Sequence, residues 1–343
     1  MEMNPTVLRV GIVQMQALPL QVDDNLALAE GLVLQAAREG AQIVVLPEMF
    51  NVGFYWGEDL MPLAETLESG KTVSWLKSQA AQHRVYLTAS LYERYDEHFY
   101  NTMVMVGPDG TLQHYRKRNP AISEVVVWRR SPHPGPGIFD TPLGRIGGAI
   151  CFDAFTRETF EGFLKSKVDL VISVACWGIP RAAGRRPDLL LTRAILRANL
   201  HQAAEFVPWQ YATRLGVPVV FVNQAGVTQT PSPVPPLYPW PLPQLVYDFH
   251  GNSHVRDSAG QVLVRASSTE TAFCAVVPVN VPSRPARSDV VRVDLPPHYL
   301  RSNYYFVQPP RARFLHFLGR VVQAWGFRTL QKEYEARRLR HLE

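Results

Sequence analysis

Four short apolar runs in this sequence each lead into a residue that can do chemistry. Residues 42–47, with Ile43, Val44, Val45 and Leu46 at their centre, deliver Glu48. Residues 145–151 end on Cys151, residues 168–175 stop just before Cys176 and Trp177, and residues 217–223 end on Asn223. Runs this short and this rich in β-branched residues read as buried strands. Between them the apolar spacing turns helical. Leu26, Leu28, Leu32, Val33, Ala36 and Ala37 mark a helix over 24–39 that Gly40 closes, and further helices are expected over 71–83, 157–166 and 188–213. Strands alternating with helices build a layered α/β sheet, and such sheets bind ligands at the carboxyl ends of their strands. The reactive residues are therefore expected along one edge.

Additional strands are expected over 7–14, 84–91 and 100–107, the last closed by the turn Gly107-Pro-Asp-Gly110. Two segments break the rhythm. Residues 231–243 hold seven prolines in thirteen positions, with Tyr238 and Trp240 between them, and read as a stiff extended loop, at the surface or on the rim of the site. Residues 311–335 place Phe314, Leu318, Val321, Val322, Trp325 and Leu330 on an apolar helical stripe with Arg320, Arg328 and Lys332 between. That helix is expected to pack on its own domain or on a second subunit, with membrane-surface contact as the alternative. The organisation expected is a main domain over 1–285 and a C-terminal extension over 286–343.

Charge narrows the partners. The net +5 arises entirely from residues 311–343, with eight Lys/Arg against three Glu, and the preceding 310 residues hold 27 of each sign. The excess describes a tail, so no nucleic-acid partner is expected for the domain. Three cysteines at irregular spacing make neither a disulfide framework nor a zinc ribbon. With no apolar run of membrane-spanning length and no leader pattern, the cytoplasm is the expected location. Gly70-Lys71-Thr72 suggests a phosphate loop, but Glu65 stands where its first glycine belongs. Ten histidines are scattered without a His-Glu-x-x-His pattern, so no metal is expected.

Within Gly147-Gly-Ala-Ile-Cys151-Phe-Asp153 the cysteine sits at a strand-to-helix turn, where its sulfur can be presented while the following backbone N–H groups face a developing oxyanion. Such a thiol needs a base or a cation to ionise at neutral pH. Leu46-Pro-Glu48 supplies a carboxylate and Tyr115-Arg-Lys117-Arg-Asn-Pro120 a cation. On residues alone, a helix-capping Glu48, a solvated Lys117 and an inert buried Cys151 remain the alternative.

The three segments, in this order and at these distances, resemble the nitrilase (carbon–nitrogen hydrolase) superfamily. Supporting similarity extends over residues 7–280 and includes Gln14, Asp23 with Asn25, Gly40-Ala41, Asn101-Thr102, Asn223-Gln-Ala-Gly226 and Gly251-Asn-Ser-His-Val-Arg-Asp257. The resemblance implies an α-β-β-α four-layer sandwich and a Glu-Lys-Cys triad of Glu48, Lys117 and Cys151. Glu124 is then expected as a second glutamate of the site and Trp177 as a pocket residue; Phe152 is expected beside the substrate, and Asn223 either bounds the site or serves structural hydrogen bonding. It implies no cofactor and a homodimer or higher homo-oligomer.

The expected reaction is hydrolysis of a small amide or carbamoyl compound through a Cys151 thioester. In that scheme Glu48 is the base, and Lys117 favours the thiolate and stabilises the tetrahedral intermediate. Two signals pull apart. The aromatic-Asp pair after Cys151 is similar to amidase-like members, whereas nitrilases commonly carry Trp-Glu there. The short Lys117–Glu124 interval, with Pro120 inside it and Trp128 beyond, is similar to the nitrilase branch. Arg157 stands where many relatives have proline, which alters the helix start or adds a positive group near the pocket. Nitrile hydrolysis, a soluble acyltransferase and a catalytically silent scaffold are the alternatives.

Overall fold

The computed structural model describes residues 6–121, 124, 127–133, 135–181, 203–231 and 245–279. Strand β1 (Thr6–Gln14) is followed by helix α1 (Val22–Arg38), strand β2 (Ile43–Val45), helix α2 (Lys71–His83), and strands β3 (Tyr86–Tyr95), β4 (His98–Val106) and β5 (Leu112–Arg116). Strands β6 (Gly137–Thr141) and β7 (Gly144–Ile150) lead into a 3-10 turn at Cys151–Phe155 and helix α3 (Arg157–Ser166). Then come β8 (Leu170–Ala175), β9 (Gly178–Arg181), a helix over 203–215 and β10 (Val219–Asn223). The described chain closes with β11 (Ala225–Thr230), β12 (Leu245–His250), β13 (His254–Arg256), β14 (Val262–Arg265) and β15 (Thr271–Val279).

Two six-stranded sheets carry the fold, in the orders β15-β1-β2-β3-β4-β5 and β14-β13-β10-β8-β7-β6. At the centre of the first, β1, β2 and β3 run parallel; at the centre of the second, β7, β8 and β10 do. The alternation of side chains along a strand explains the layering. Val44 and Leu46 face outward into one core with Leu26, Ala29, Val33 and Ala36 of α1 and Leu76 and Ala80 of α2. Ile43 and Val45 face inward, into a core shared with β7, β8 and β10. Strand β4 repeats this, with Val104 and Val106 outward and Met103 and Met105 inward. Phe160 and Phe163 of α3, with Ala203, Ala204, Val207 and Tyr211 of the 203–215 helix, cover the second sheet. The result is the expected four-layer α-β-β-α sandwich.

Element positions follow the sequence closely where the period is strong. Both α2 and α3 begin and end at the expected residues, and Gly40 follows α1 with φ +86, the left-handed turn a glycine takes without strain. Strand β2 is shorter than its apolar run, because Leu46 and Pro47 lead directly into the turn that carries Glu48. Not anticipated is a third sheet, ordered β11-β12-β9, which flanks the carboxyl ends of the parallel strands.

Glu65 also explains why Gly70-Lys71-Thr72 is no phosphate loop. Its carboxylate accepts the Thr72 backbone N–H at 2.7 Å and the Thr72 hydroxyl, filling the N-terminus of α2. A Cβ on Gly70 would stand 2.4 Å from that carboxylate, so the glycine is required by the cap.

Among the described residues no helix is long and apolar enough to cross a membrane. The helix expected over 311–335, the boundary at 285, most of the proline-rich stretch 231–243 and the first half of the helix expected over 188–213 lie outside the described residues.

Candidate active site

Glu48, Lys117, Glu124 and Cys151 come together at the carboxyl ends of β2, β5 and β7, from positions 103 residues apart at the extremes (151 less 48). The Lys117 ammonium lies 2.9 Å from Glu48 Oε1 and 2.7 Å from Glu124 Oε2. All four residues are buried, Lys117 completely. The Cys151 sulfur and an oxygen of each glutamate lie within 4.8 Å of one another. Two carboxylates and a thiol at that spacing could hold a metal ion. Here the lysine ammonium already bonds both carboxylates, and a second cation would have to displace it.

Each member is fixed by the element that carries it. Glu48 Oε1 also accepts Asn101 Nδ2 at 2.7 Å, and Glu48 Oε2 accepts the Cys176 backbone N–H at 2.7 Å. Its carbonyl accepts the Cys176 thiol at 2.9 Å and Gln224 Nε2 at 2.8 Å. Glu124 closes a single turn in which Val127 and Trp128 donate to its carbonyl, and its Oε2 accepts the Ala121 N–H at 2.7 Å.

Cys151 has φ +49 and the residue after Glu48, Met49, has φ +54. A non-glycine side chain in the left-handed region is strained, and strain of this kind collects at functional sites.

A buried acid secures the turn at Cys151. Asp153 Oδ2 accepts the Tyr115 hydroxyl at 3.0 Å, and Asp153 Oδ1 accepts both the Asn119 backbone N–H at 2.8 Å and Asn119 Nδ2 at 3.0 Å. Tyr115 and Asn119 flank Lys117 by two residues on either side, so one carboxylate ties the lysine segment to the cysteine turn.

Trp177 and Asn223 stand on the adjacent strand ends. The Trp177 indole N–H donates to Cys151 Sγ at 3.0 Å. Asn223 accepts the Trp177 N–H at 2.8 Å and donates to the carbonyls of Trp177 and Gly251 at 3.3 and 3.1 Å. Its side chain is thus committed to backbone. Phe152, half-buried beside Phe155 at a ring separation of 5.8 Å, follows Cys151 directly. Arg157 does not reach the site; exposed on α3, it pairs with Glu161 one turn on.

Electrostatics refine one expectation. Burial alone would lower the Lys117 ammonium, but the Cys151, Glu124 and Glu48 charges around it hold it well above the ordinary lysine value. Burial, followed by the Glu48 charge, pushes the Cys151 thiol well up, against the opposite pull of Lys117 and of the Trp177 hydrogen bond. Burial likewise raises Glu124, opposed by Lys117 and reinforced by Glu48. Lys117 does favour the thiolate, as expected, yet burial and the Glu48 charge outweigh it and push the Cys151 thiol up.

Sequence reasoning treated Cys176 as core packing and gave Asn101 and Gln224 no role in the site. Asn101 and Gln224 lie in segments similar to the superfamily, but holding a glutamate is visible only once distant strand ends meet.

The carbon-nitrogen hydrolase family model matches residues 9–281. A nitrilase of Pyrococcus abyssi is 29% identical over 201 residues, covering 58% of this chain and 76% of the relative. The omega-amidase NIT2-B of Xenopus laevis is 29% identical over 241 residues, covering 65% and 86%. Among solved structures, a carbon-nitrogen hydrolase from Helicobacter pylori superposes with a TM-score of 0.66 at 21% identity, covering 79% of this chain and 89% of that one. An amidase from Nesterenkonia gives 0.61 at 18% identity, covering 79% and 90%. With a family match over most of its length and the matching sandwich beneath it, this chain belongs to the carbon–nitrogen hydrolase family, the nitrilase superfamily.

Proposed function

We propose that the protein hydrolyses a small amide or carbamoyl compound through a Cys151 thioester, releasing ammonia or an amine. One observation carries the reading: a fully buried ammonium held between two carboxylates, with a strained cysteine sulfur within 4.8 Å of both. Such an arrangement is costly to bury and has a direct use in acyl transfer.

In this scheme Glu48 takes the Cys151 proton as the sulfur attacks the carbonyl carbon. The oxygen that becomes negative is stabilised by Lys117 and by the backbone N–H that follows Cys151. The tetrahedral intermediate collapses when the nitrogen leaves with the proton held by Glu48. Water then attacks the thioester, giving its proton to Glu48, and a second tetrahedral intermediate releases the acid and restores the thiol. A base assists the attack, since burial and the Glu48 charge push the thiol up. Glu124 keeps Lys117 in place and charged throughout.

The omega-amidase and amidase relatives support an amide substrate, as does the Phe152-Asp153 pair after the cysteine. The Pyrococcus abyssi nitrilase and the short interval from Lys117 to Glu124 favour a nitrile as the second reading. Ammonia release from a panel of amides, carbamoyl compounds and nitriles decides between them, with Cys151→Ala as the control at matched folding. Release from amides that vanishes in the variant is the expected result. Release from nitriles alone would replace the reading with its alternative, and no release at all would remove both.

A further inference from the structure

The contact between Trp177 and Cys151 differs in kind from a pocket wall. An indole nitrogen donates one hydrogen and accepts none, so the 3.0 Å contact ends on a sulfur lone pair and leaves the thiol proton to point elsewhere. The carboxylates of Glu48 and Glu124 stand nearest in the direction left open, each with an oxygen within 4.8 Å of the sulfur.

The indole is also held rigidly. Its ring packs at 5.0 Å from both Phe155 and Phe221, and its backbone is gripped on both sides by Asn223. Asn223 is fixed in turn, its backbone N–H donating to Ser253 Oγ at 3.0 Å.

We propose that Trp177 is the positioning residue of the nucleophile: its indole N–H aims the Cys151 thiol proton at the base and holds the sulfur as an anion during attack. This rests on Cys151 being the nucleophile of the proposed reaction. Glu48 at the end of β2, Lys117 after β5, Glu124 on its turn and Cys176 after β8 are the titratable groups that face the sulfur. Of these, Lys117 alone favours the anion, and it shares its charge with two carboxylates. The indole hydrogen is committed to the sulfur. A hydrogen bond to a charged acceptor is stronger than one to a neutral acceptor, so this contact gains as the proton leaves.

The test compares wild type with Trp177→Phe, which keeps an aromatic ring and removes the donor. Alkylation of Cys151 by iodoacetamide, followed on its own peptide by mass spectrometry from pH 6 to 10, needs no substrate. The variant is expected to alkylate about tenfold more slowly at neutral pH, the loss of one charge-assisted hydrogen bond. Its alkylation profile should move to higher pH, and its kcat should fall more than its KM rises. Trp177→His, which restores a ring N–H, should recover part of the loss.

An unchanged alkylation profile with only KM raised would overturn the proposal and leave Trp177 as pocket lining. If the Phe variant does not fold, the wild-type protein labelled with 15N at the indole nitrogens carries the test. The Trp177 indole signal should shift as the Cys151 thiol titrates, and a signal indifferent to that titration would overturn the proposal equally. The outcomes also separate this proposal from the reaction itself. Alkylation that depends on Trp177 in a protein that releases no ammonia sustains the first and sinks the second; Cys151-dependent release with an unchanged Trp177→Phe profile does the reverse.

Discussion

Cys176 holds Glu48 at two points: its backbone N–H donates to the carboxylate at 2.7 Å and its thiol donates to the backbone carbonyl at 2.9 Å. The carboxylate of the proposed base is thus oriented by a main-chain group that no substitution at position 176, proline apart, removes. Cys176→Ala loses only the thiol donor and a small volume, and Gln224 still bonds the same carbonyl. Denaturant unfolding should show a loss of about 1–2 kcal/mol, while kcat/KM stays within about tenfold of wild type. Abolished activity in a folded Cys176→Ala protein would mean that this thiol takes part in the chemistry.

Lys117 is the least replaceable residue of the site. In Lys117→Met the side chain stays unbranched and loses only its terminal ammonium, but Glu48 and Glu124 are left facing each other in a dry interior without a cation. Breaking a buried ion pair from one side costs about 3–5 kcal/mol. Loss of the charge proposed to stabilise the oxyanion should lower kcat by about 10²–10³-fold. Lys117→Arg should not restore the rate, since a planar guanidinium cannot fill the place of a compact ammonium. Unfolding curves and ammonia release on the same preparations check both halves, and a variant as stable as wild type would show that the two carboxylates share a proton when the lysine is absent.

The sandwich was legible in the sequence because continuous apolar runs mark β2 and β4 and a period near 3.6 marks α1. Glu48 and Cys151 were legible because each follows an apolar run at a strand end, and Lys117 because its Tyr-Arg-Lys segment completes the ordered resemblance to the superfamily. What stayed hidden depends on meetings between distant segments. The third sheet pairs β9 with β12 across the intervening chain, and no local pattern announces it. Asp153 stood in the motif around Cys151, yet its bonds to Tyr115 and Asn119 follow from the packing of β5 beside the cysteine turn. Lys117 was expected to favour the thiolate, and it does; the opposing weight of burial and of the Glu48 charge shows only once the site is assembled.

Stability should fall between neutral pH and pH 5 through a residue outside the site. His254 is fully buried, and burial, joined by Arg256 and Arg265, lowers its imidazole to about 4. Its neutral form uses both ring nitrogens: Nδ1 lies 2.8 Å from the Asn252 carbonyl, and Nε2 accepts from Arg256 Nε at 3.2 Å. Protonation of Nε2 would set two donors against each other. The unfolded chain binds this proton near pH 6.5 and the folded chain near 4, so the contribution is complete above 6.5 and is lost as pH falls through that window. The full shift corresponds to about 3 kcal/mol. Urea unfolding at pH 7.5 and pH 5 should show part of this loss in wild type and less of it in His254→Gln. Equal pH dependence in the two proteins would place the titrating group elsewhere.

Asp153 separates holding the nucleophile from reacting with substrate. Burial raises its carboxyl, while Lys117 and the hydrogen bonds from Asn119 and Tyr115 pull it down. In Asp153→Asn the side-chain oxygen can still accept from Asn119, but the new NH₂ faces the Tyr115 hydroxyl. That hydroxyl can rotate to accept, so stability should fall by only about 1–2 kcal/mol. The strained turn at Cys151 then has a weaker tie to the lysine segment. Because misplacing a reacting group by about 1 Å can cost on the order of 10²-fold, kcat should fall by about 10–100-fold with KM little changed. Tyr115→Phe breaks the same bond from the other side and leaves Asn119 in place, so it should reproduce a smaller part of the effect. The double variant should then be no worse than Asp153→Asn alone, because the Tyr115 contribution passes through this carboxylate. Additive losses in the double variant would show that Tyr115 acts on the site by a separate route, and that Asp153 is not the link between Lys117 and Cys151.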